Sequence, residues 1–226
     1  MAYYIKQLYD FLDALAANNN RPWFNEHKEL YKELRDKWLA DVDRMIGLMA
    51  AGGEPALASQ TARAAAYRIY RDTRFSHDKT PYKTHFSAAL SPTGRRDCGA
   101  GYYLQIGGGN PDEGLYAGIW CPPSDQLKKL RRAIVDNIEE FEAILAEPAF
   151  AATFTDWVGD TLKTIPQGYD RHHPLAHLLR RKDYGRSCPE GRTFFLDPSW
   201  PEKAAERMLT AVPFVKFINY SLFEEE

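Results

Sequence analysis

The densest set of residues able to do chemistry is Arg71-Asp72-Thr73-Arg74-Phe75-Ser76-His77-Asp78-Lys79-Thr80-Pro81-Tyr82-Lys83. From Arg63 to Arg96 the chain carries eight Lys/Arg (63, 68, 71, 74, 79, 83, 95 and 96) against two Asp (72 and 78). That is a local balance of +6 in a chain of net charge −2. A guanidinium fork suits phosphate or carboxylate, an ammonium is a movable point charge, and Ser76, Thr80 and Tyr82 add hydroxyls. These types lead us to expect a pocket for a small anionic ligand. Arg71, Arg74, Lys79 and Lys83 grip it, Ser76 and Tyr82 line it, and Asp72 or Asp78 orients the cations or acts as a base.

Two other readings use the same residues. The arginines can pair with Asp72, Asp78 or more distant acids and simply brace a loop, each exposed pair contributing about 0–1 kcal/mol. Alternatively, Tyr67, Tyr70, Phe75 and Tyr82 can serve as stacking faces between the charges of a nucleic-acid or protein contact surface. The pI of about 6.3 and the absence of a basic tail weigh against nucleic acid.

A second polar group is Asn18-Asn19-Asn20-Arg21-Pro22-Trp23-Phe24-Asn25-Glu26-His27-Lys28. Asn20 has the right type to cap a helix, and Trp23 with Phe24 packs its entry. Arg21 and His27 have no such assignment, so both join the expected ligand-binding set, and the anion site is expected beside this helix start. A third group is Gly168-Tyr169-Asp170-Arg171-His172-His173-Pro174-Leu175-Ala176-His177. Its His173 and His177 have the i,i+4 spacing that can hold a metal, with Asp170 or His172 to complete the set. The HExxH glutamate is missing and His173 stands at a helix start, where capping is the simpler role; no metal and no other cofactor is expected. No catalytic residue can be assigned, since the nucleophile-elbow, Walker and dinucleotide patterns are absent. Cys98, Cys121 and Cys188 are odd in number and form no CxxC pair, so reduced thiols are expected.

The elements that must position these groups follow from periodicity. Ile5, Leu8, Leu12 and Leu15 make one helical stripe, and Tyr31, Leu34, Trp38, Val42, Met45 and Met49 another that Gly52-Gly53 stops. Residues 67–72, 85–90, 101–106 and 115–121 read as strands, with Gly107-Gly108-Gly109-Asn110-Pro111 as a hairpin loop. Ser124 is expected to cap a long helix reaching Pro148, and a shorter helix is expected over 149–164. Residues 174–181 read as a short helix, and 184–188 and 193–196 as two further strands. A capping box at Ser199-Trp200-Pro201-Glu202 opens a last helix, bent at Pro213. The expected fold is therefore α+β: one domain over 1–226, with a mainly antiparallel central sheet. An N-terminal helical hairpin, a long middle helix and a C-terminal helix pack it. With 44% hydrophobic and 27% charged residues the chain is a folded one. The N-terminus lacks a signal-peptide pattern and no apolar run approaches a membrane span, so a cytoplasmic protein with no membrane partner is expected.

Three stretches resemble a known family, the conserved hypothetical proteins of domain of unknown function family 2461. They are Asn18-Asn19-Asn20-Arg21-Pro22-Trp23-Phe24 with His27-Lys28; Arg71-Asp72-x-Arg74-Phe75-Ser76-x-Asp78-Lys79-x-Pro81-Tyr82-Lys83; and Gly168-Tyr169-Asp170 with His173-Pro174. The similarity also takes in Gly101-Tyr102-Tyr103-Leu104, Gly118 and Pro122. The chain departs from the family pattern at Pro22, where an acidic or polar residue is expected, and at His27, where asparagine is. The resemblance implies a single-domain protein found mostly in bacteria, and it implies no activity. A long polar signature in a loop supports ligand binding over packing.

Overall fold

The computed structural model describes residues 3–94, 99–109 and 112–223. Helices α1 (Ile5–Ala17), α2 (Arg21–Glu26) and α3 (Lys28–Gly52) come first, then a 3-10 turn over Pro55–Ser59 and the single-turn α4 (Ala62–Ala65). Strands β1 (His85–Leu90), β2 (Gly101–Gly107) and β3 (Gly114–Ile119) follow. Next are helices α5 (Ser124–Asp136), α6 (Ile138–Ala146) and α7 (Pro148–Thr153) and strand β4 (Asp156–Val158). After α8 (Ala176–Leu179) and β5 (Tyr184–Pro189), the chain ends in α9 (Arg192–Leu196), α10 (Trp200–Leu209) and α11 (Val212–Phe223). The five strands form one antiparallel sheet in the order β1-β2-β3-β5-β4, and the fold is α+β as the sequence predicts.

The backbone gathers into two compact units. The first holds Met1–Leu90, Tyr103–Leu115 and Pro189–Glu206, and the second Ser91–Tyr102, Tyr116–Cys188 and Arg207–Glu226. In the first unit, α1 and α3 form the expected helical hairpin and bury Ile5, Leu8, Leu12 and Leu15 with Leu34, Trp38, Val42 and Met45. Trp38 meets Phe86 of β1 edge-on at 5.4 Å between ring centroids. Glu113 is buried there too, accepting hydrogen bonds from the Tyr9 hydroxyl and from Gly107 N. In the second unit the core is aromatic, with Phe141 against Phe217 at 5.1 Å and Phe150 against Phe214 at 5.3 Å.

Several elements differ from the sequence expectation, each for a local reason. Ser124 does not cap α5: Pro123 holds the N-cap position and no side chain accepts there. The long middle helix breaks at Asn137, whose backbone leaves the helical region and whose Nδ2 donates to Ala133 O at 3.1 Å. An asparagine amide competes with the backbone for such carbonyls. The helix expected over 149–164 stops at Thr153, and β4 pairs instead with β5 through Trp157↔Arg186. Residues 193–196 belong to helix α9, not to a strand; the short apolar run has no period to decide between the two, and the helix buries Phe195 against Trp200. The last helix is divided at residues 210–211, before Pro213, and the Ser199 hydroxyl donates to Asp197. The hairpin glycines Gly107, Gly108 and Gly109 all have positive φ, as a turn requires, while Asn110 and Pro111 lie outside the described residues.

One glycine is fixed by close approach. Gly118 has φ +124°, and a Cβ there would stand 2.1 Å from Tyr184 O across the β3–β5 ladder. Gly118→Ala should therefore destabilise the fold by about 2–5 kcal/mol. A lower urea midpoint at unchanged slope is the expected reading; a midpoint within error of the parent would refute the clash.

Candidate functional site

The expected strand at 67–72 is instead an extended segment paired in two separate pieces. Lys83 N donates to Ile69 O and Arg71 N to Pro81 O, around a Tyr70↔Tyr82 bridge. Further along, Tyr67 N donates to Ser87 O beside an Ala66↔Ala88 bridge. Between the pieces a single residue, Arg68, faces three: Thr84, His85 and Phe86. This is a bulge of two extra residues, a device that re-aims side chains and interrupts a ladder.

Beyond the first piece, residues 71–80 form a loop braced by its own charges. Arg71 donates to Asp78 and to the Thr80 hydroxyl. Arg74 engages Asp72 with Nε at 3.0 Å and Nη2 at 2.7 Å, and its backbone N donates to the same carboxylate. Lys79 Nζ donates to Thr73 O at 3.0 Å. Thr80 N, the Arg71 guanidinium and the Thr80 hydroxyl together hold the Asp78 carboxyl down to about 2. Asp72 is likewise held below its ordinary value, chiefly by Arg74. Ser76 N donates to Thr73 O at 3.4 Å. The two arginines of the motif thus each have a carboxylate from the same loop. Phe75, next to Arg74 on this loop, is 94% exposed.

Tyr82 is held from the other side. It is buried, and its ring stacks on Phe24 of α2 at 4.1 Å and 18°. Asn19 Nδ2 donates to Tyr82 O at 2.9 Å while Asn19 Oδ1 accepts from Tyr82 N at 3.1 Å. Asn20 caps α2 as expected, accepting from Trp23 N at 3.0 Å. His27 ends α2: its ring stacks on Trp23 at 3.9 Å, and its Nδ1 lies 2.8 Å from Trp23 O. Arg21 is exposed at the start of α2, close enough to Tyr82 to act on its hydroxyl.

Lys83 is placed differently from the other cations. Its Nζ lies 4.8 Å from the centroid of the Tyr67 ring, and burial, with Arg68 adding to it, pulls its pKa down. His85 is pushed down to about 4, by burial first and then by Lys83, with Asp112 opposing. The side chains of Arg68, Lys83 and His85 make no hydrogen bond or ion pair with any described residue. Alongside them, Ser87 donates to the Tyr103 hydroxyl, which donates to Gln105 Oε1 at 2.8 Å. Tyr103 in turn meets the Tyr67 ring edge-on at 6.2 Å. Arg68, His85, Ser87, Tyr103 and Gln105 are absent from the sequence-derived set. The only advance signal was alternation, since polar residues at 83, 85 and 87 and at 103 and 105 fall on one face of paired strands.

In the third polar group, Asp170 Oδ1 accepts from His172 N and His173 Nδ1 from Leu175 N. These are turn and helix-entry contacts. Among the described residues no three His, Cys, Asp or Glu are grouped as a metal ion would need. No described helix is long and apolar enough to cross a membrane.

A family model described as "Conserved hypothetical protein (DUF2461)" matches residues 7–217. No curated protein matches the chain, and no solved structure does.

The Asn19 amide supplies both backbone partners of a buried residue, so its removal leaves two groups unsatisfied. Asn19→Ala should cost about 1–3 kcal/mol in chemical denaturation. It should also raise hydrogen exchange at Tyr82 N relative to the parent; unchanged protection there would contradict the clamp.

Proposed function

The chain belongs to the DUF2461 family of conserved hypothetical proteins, and we propose that it binds a small anionic ligand, a phosphate or carboxylate, at the bulge opposite Arg68. One observation carries this reading: Arg68, Lys83 and His85 come together there without a hydrogen-bond or ion-pair partner among the described residues, Asp72 and Asp112 acting on Arg68 and His85 only at longer range, whereas Arg71, Arg74 and Lys79 are all engaged. Burial first, and then Arg68, depress the Lys83 ammonium. Two cations held together without a carboxylate at hydrogen-bond distance repel each other, and a bound anion reverses the sign of that interaction. Lys83 supplies the point charge and Arg68 the fork. In this reading the pairs Arg71–Asp78 and Arg74–Asp72, with Lys79 and Ser76, hold the loop that leads to Lys83. Asn19 and Tyr82 fix its other end next to Arg21 and His27. Binding is the proposed activity, and no group is assigned a catalytic role. A reducing, cytoplasmic setting is part of the same proposal, supported by Cys121 and Cys188 being free thiols.

Inorganic phosphate at a hundred times its Kd should stabilise the protein by about 2.7 kcal/mol in a thermal-shift assay. Lys83→Gln should abolish that shift while the unliganded variant melts no lower than the parent. If phosphate, sulfate and simple carboxylates all leave the melting temperature of the parent unchanged, the reading fails.

His85 gives a pH dependence of known sign. In the free protein it titrates near 4 instead of 6.5, so between those values the unfolded chain binds the extra proton and stability falls as pH falls. A bound anion favours the imidazolium and raises that pKa, so binding takes up a proton. Sulfate, whose own charge is constant over this range, should therefore bind more tightly as pH drops from 6.5 toward 4. His85→Gln should flatten the profile; a parent isotherm independent of pH would remove His85 from the site.

A further inference from the structure

We infer that the anion this site takes is the phosphate of a single-stranded nucleic acid, held by residues 63–83 through phosphate contacts and base stacking. The inference rests on the anion-site reading above and adds a second, independent feature: the aromatic side chains interleaved with the cations. Eight large hydrophobic side chains are exposed among the described residues, and three of them, Tyr67, Tyr70 and Phe75, fall within nine consecutive positions. They are 39%, 45% and 94% exposed. An exposed phenyl ring on a loop stiffened by two ion pairs gains nothing from the fold itself. Each ring also has a cation beside it: Lys83 lies over Tyr67, Arg74 stands 5.9 Å from the centroid of Phe75, and Arg71 adjoins Tyr70 in the chain.

From Arg63 to Lys83 there are six Lys/Arg against Asp72 and Asp78, a balance of +4. Arg63 and Arg68 are exposed on the stretch leading to Tyr67 and Tyr70. Cations that track a phosphate backbone, with aromatic faces between them for unstacked bases, are the composition of a single-strand binding surface. A duplex keeps its base faces stacked and has nothing to offer Phe75. An acidic peptide would satisfy the cations but offers no bases to stack on the exposed ring faces. Tyr82, the fourth ring in sequence, is buried on Phe24 and takes no part.

The test uses the full chain and a fluorescein-labelled twelve-nucleotide single strand, followed by anisotropy at several salt concentrations. A duplex of the same sequence and polyglutamate serve as competitors. The expected result is binding whose salt slope corresponds to several phosphates, at roughly 0.7 per contact for a single strand. The duplex and polyglutamate should compete poorly. Phe75→Ala, a change at a fully solvated position, should weaken binding by about 5- to 150-fold, the effect of losing one stacked base. Phosphate stabilisation of the parent is measured in parallel. If phosphate stabilises the protein but the oligonucleotide binds no more tightly than phosphate does, the nucleic-acid inference is overturned and the anion site stands. It is overturned equally if Phe75→Ala binds like the parent, or if polyglutamate displaces the strand as well as unlabelled strand does. If phosphate itself has no effect, the anion-site reading fails first and the inference falls with it.

Discussion

Tyr82 is gripped on three sides at once: its N–H and carbonyl are both taken by the Asn19 amide, and its ring lies flat on Phe24. An asparagine side chain here plays the part of a neighbouring strand, offering one acceptor and one donor to a residue that the sheet does not reach. The polar segment hangs from this grip. It lets Tyr70 bridge to Tyr82, sets Pro81 O to receive Arg71 N, and so determines where the loop of residues 71–80 begins and ends. Pro81 can accept in this pairing but not donate, which keeps the ladder short and leaves the loop to be stabilised by its own side chains.

The contrast between the cations of this segment is one of satisfaction, not of residue type. Arg71 and Arg74 have the same chemistry as Arg68, but an aspartate stands two residues before Arg74 and another seven after Arg71. The bulge gives Arg68 and Lys83 no such neighbour. A charge with a partner at hydrogen-bond distance contributes rigidity, and at exposed positions little energy. A partly buried charge without one keeps its attraction for an anion from outside. The loop and the bulge are adjacent in sequence and opposite in electrostatic state: the arginines of the loop are paired with carboxylates, and the cations of the bulge are not.

Much of the fold was legible in the sequence because the signals were repeated. The apolar stripes of α1 and α3 run over three to six turns, Asn20 and Pro22 mark a helix start, and β1, β2, β3 and β5 have turn residues on both sides. What escaped were single-residue decisions. Asn137 divides a helix whose apolar period continues across it, and α9 is too short for its period to be read. The three-residue β4 has no pattern of its own and exists through its pairing with β5. In the site, sequence reading found the cation-rich segment but assigned the grip to Arg71, Arg74, Lys79 and Lys83 and passed over Arg68. Pairing depends on loop conformation, and Arg68 facing Thr84–His85–Phe86 depends on a register shift that no local motif announces. His85 and Tyr103 read as ordinary strand residues until the strands were aligned.

The make-up of the first unit has a consequence for how the protein is made. Its parts come from residues 1–90, 103–115 and 189–206, and Asp13 of α1 is paired with Arg192 across 179 positions of sequence. Chains are synthesised at about 5–20 residues per second, so the apolar stripe of α1 waits roughly 10–40 s for its last packing partners to leave the ribosome. Through that interval Ile5, Leu8, Leu12 and Leu15 have α3 to cover them, but not α9 or the start of α10. Early pairing of α1 with α3 is thus the step that shields the nascent chain, and the speed of elongation between residues 116 and 206 sets how long that provisional hairpin must last.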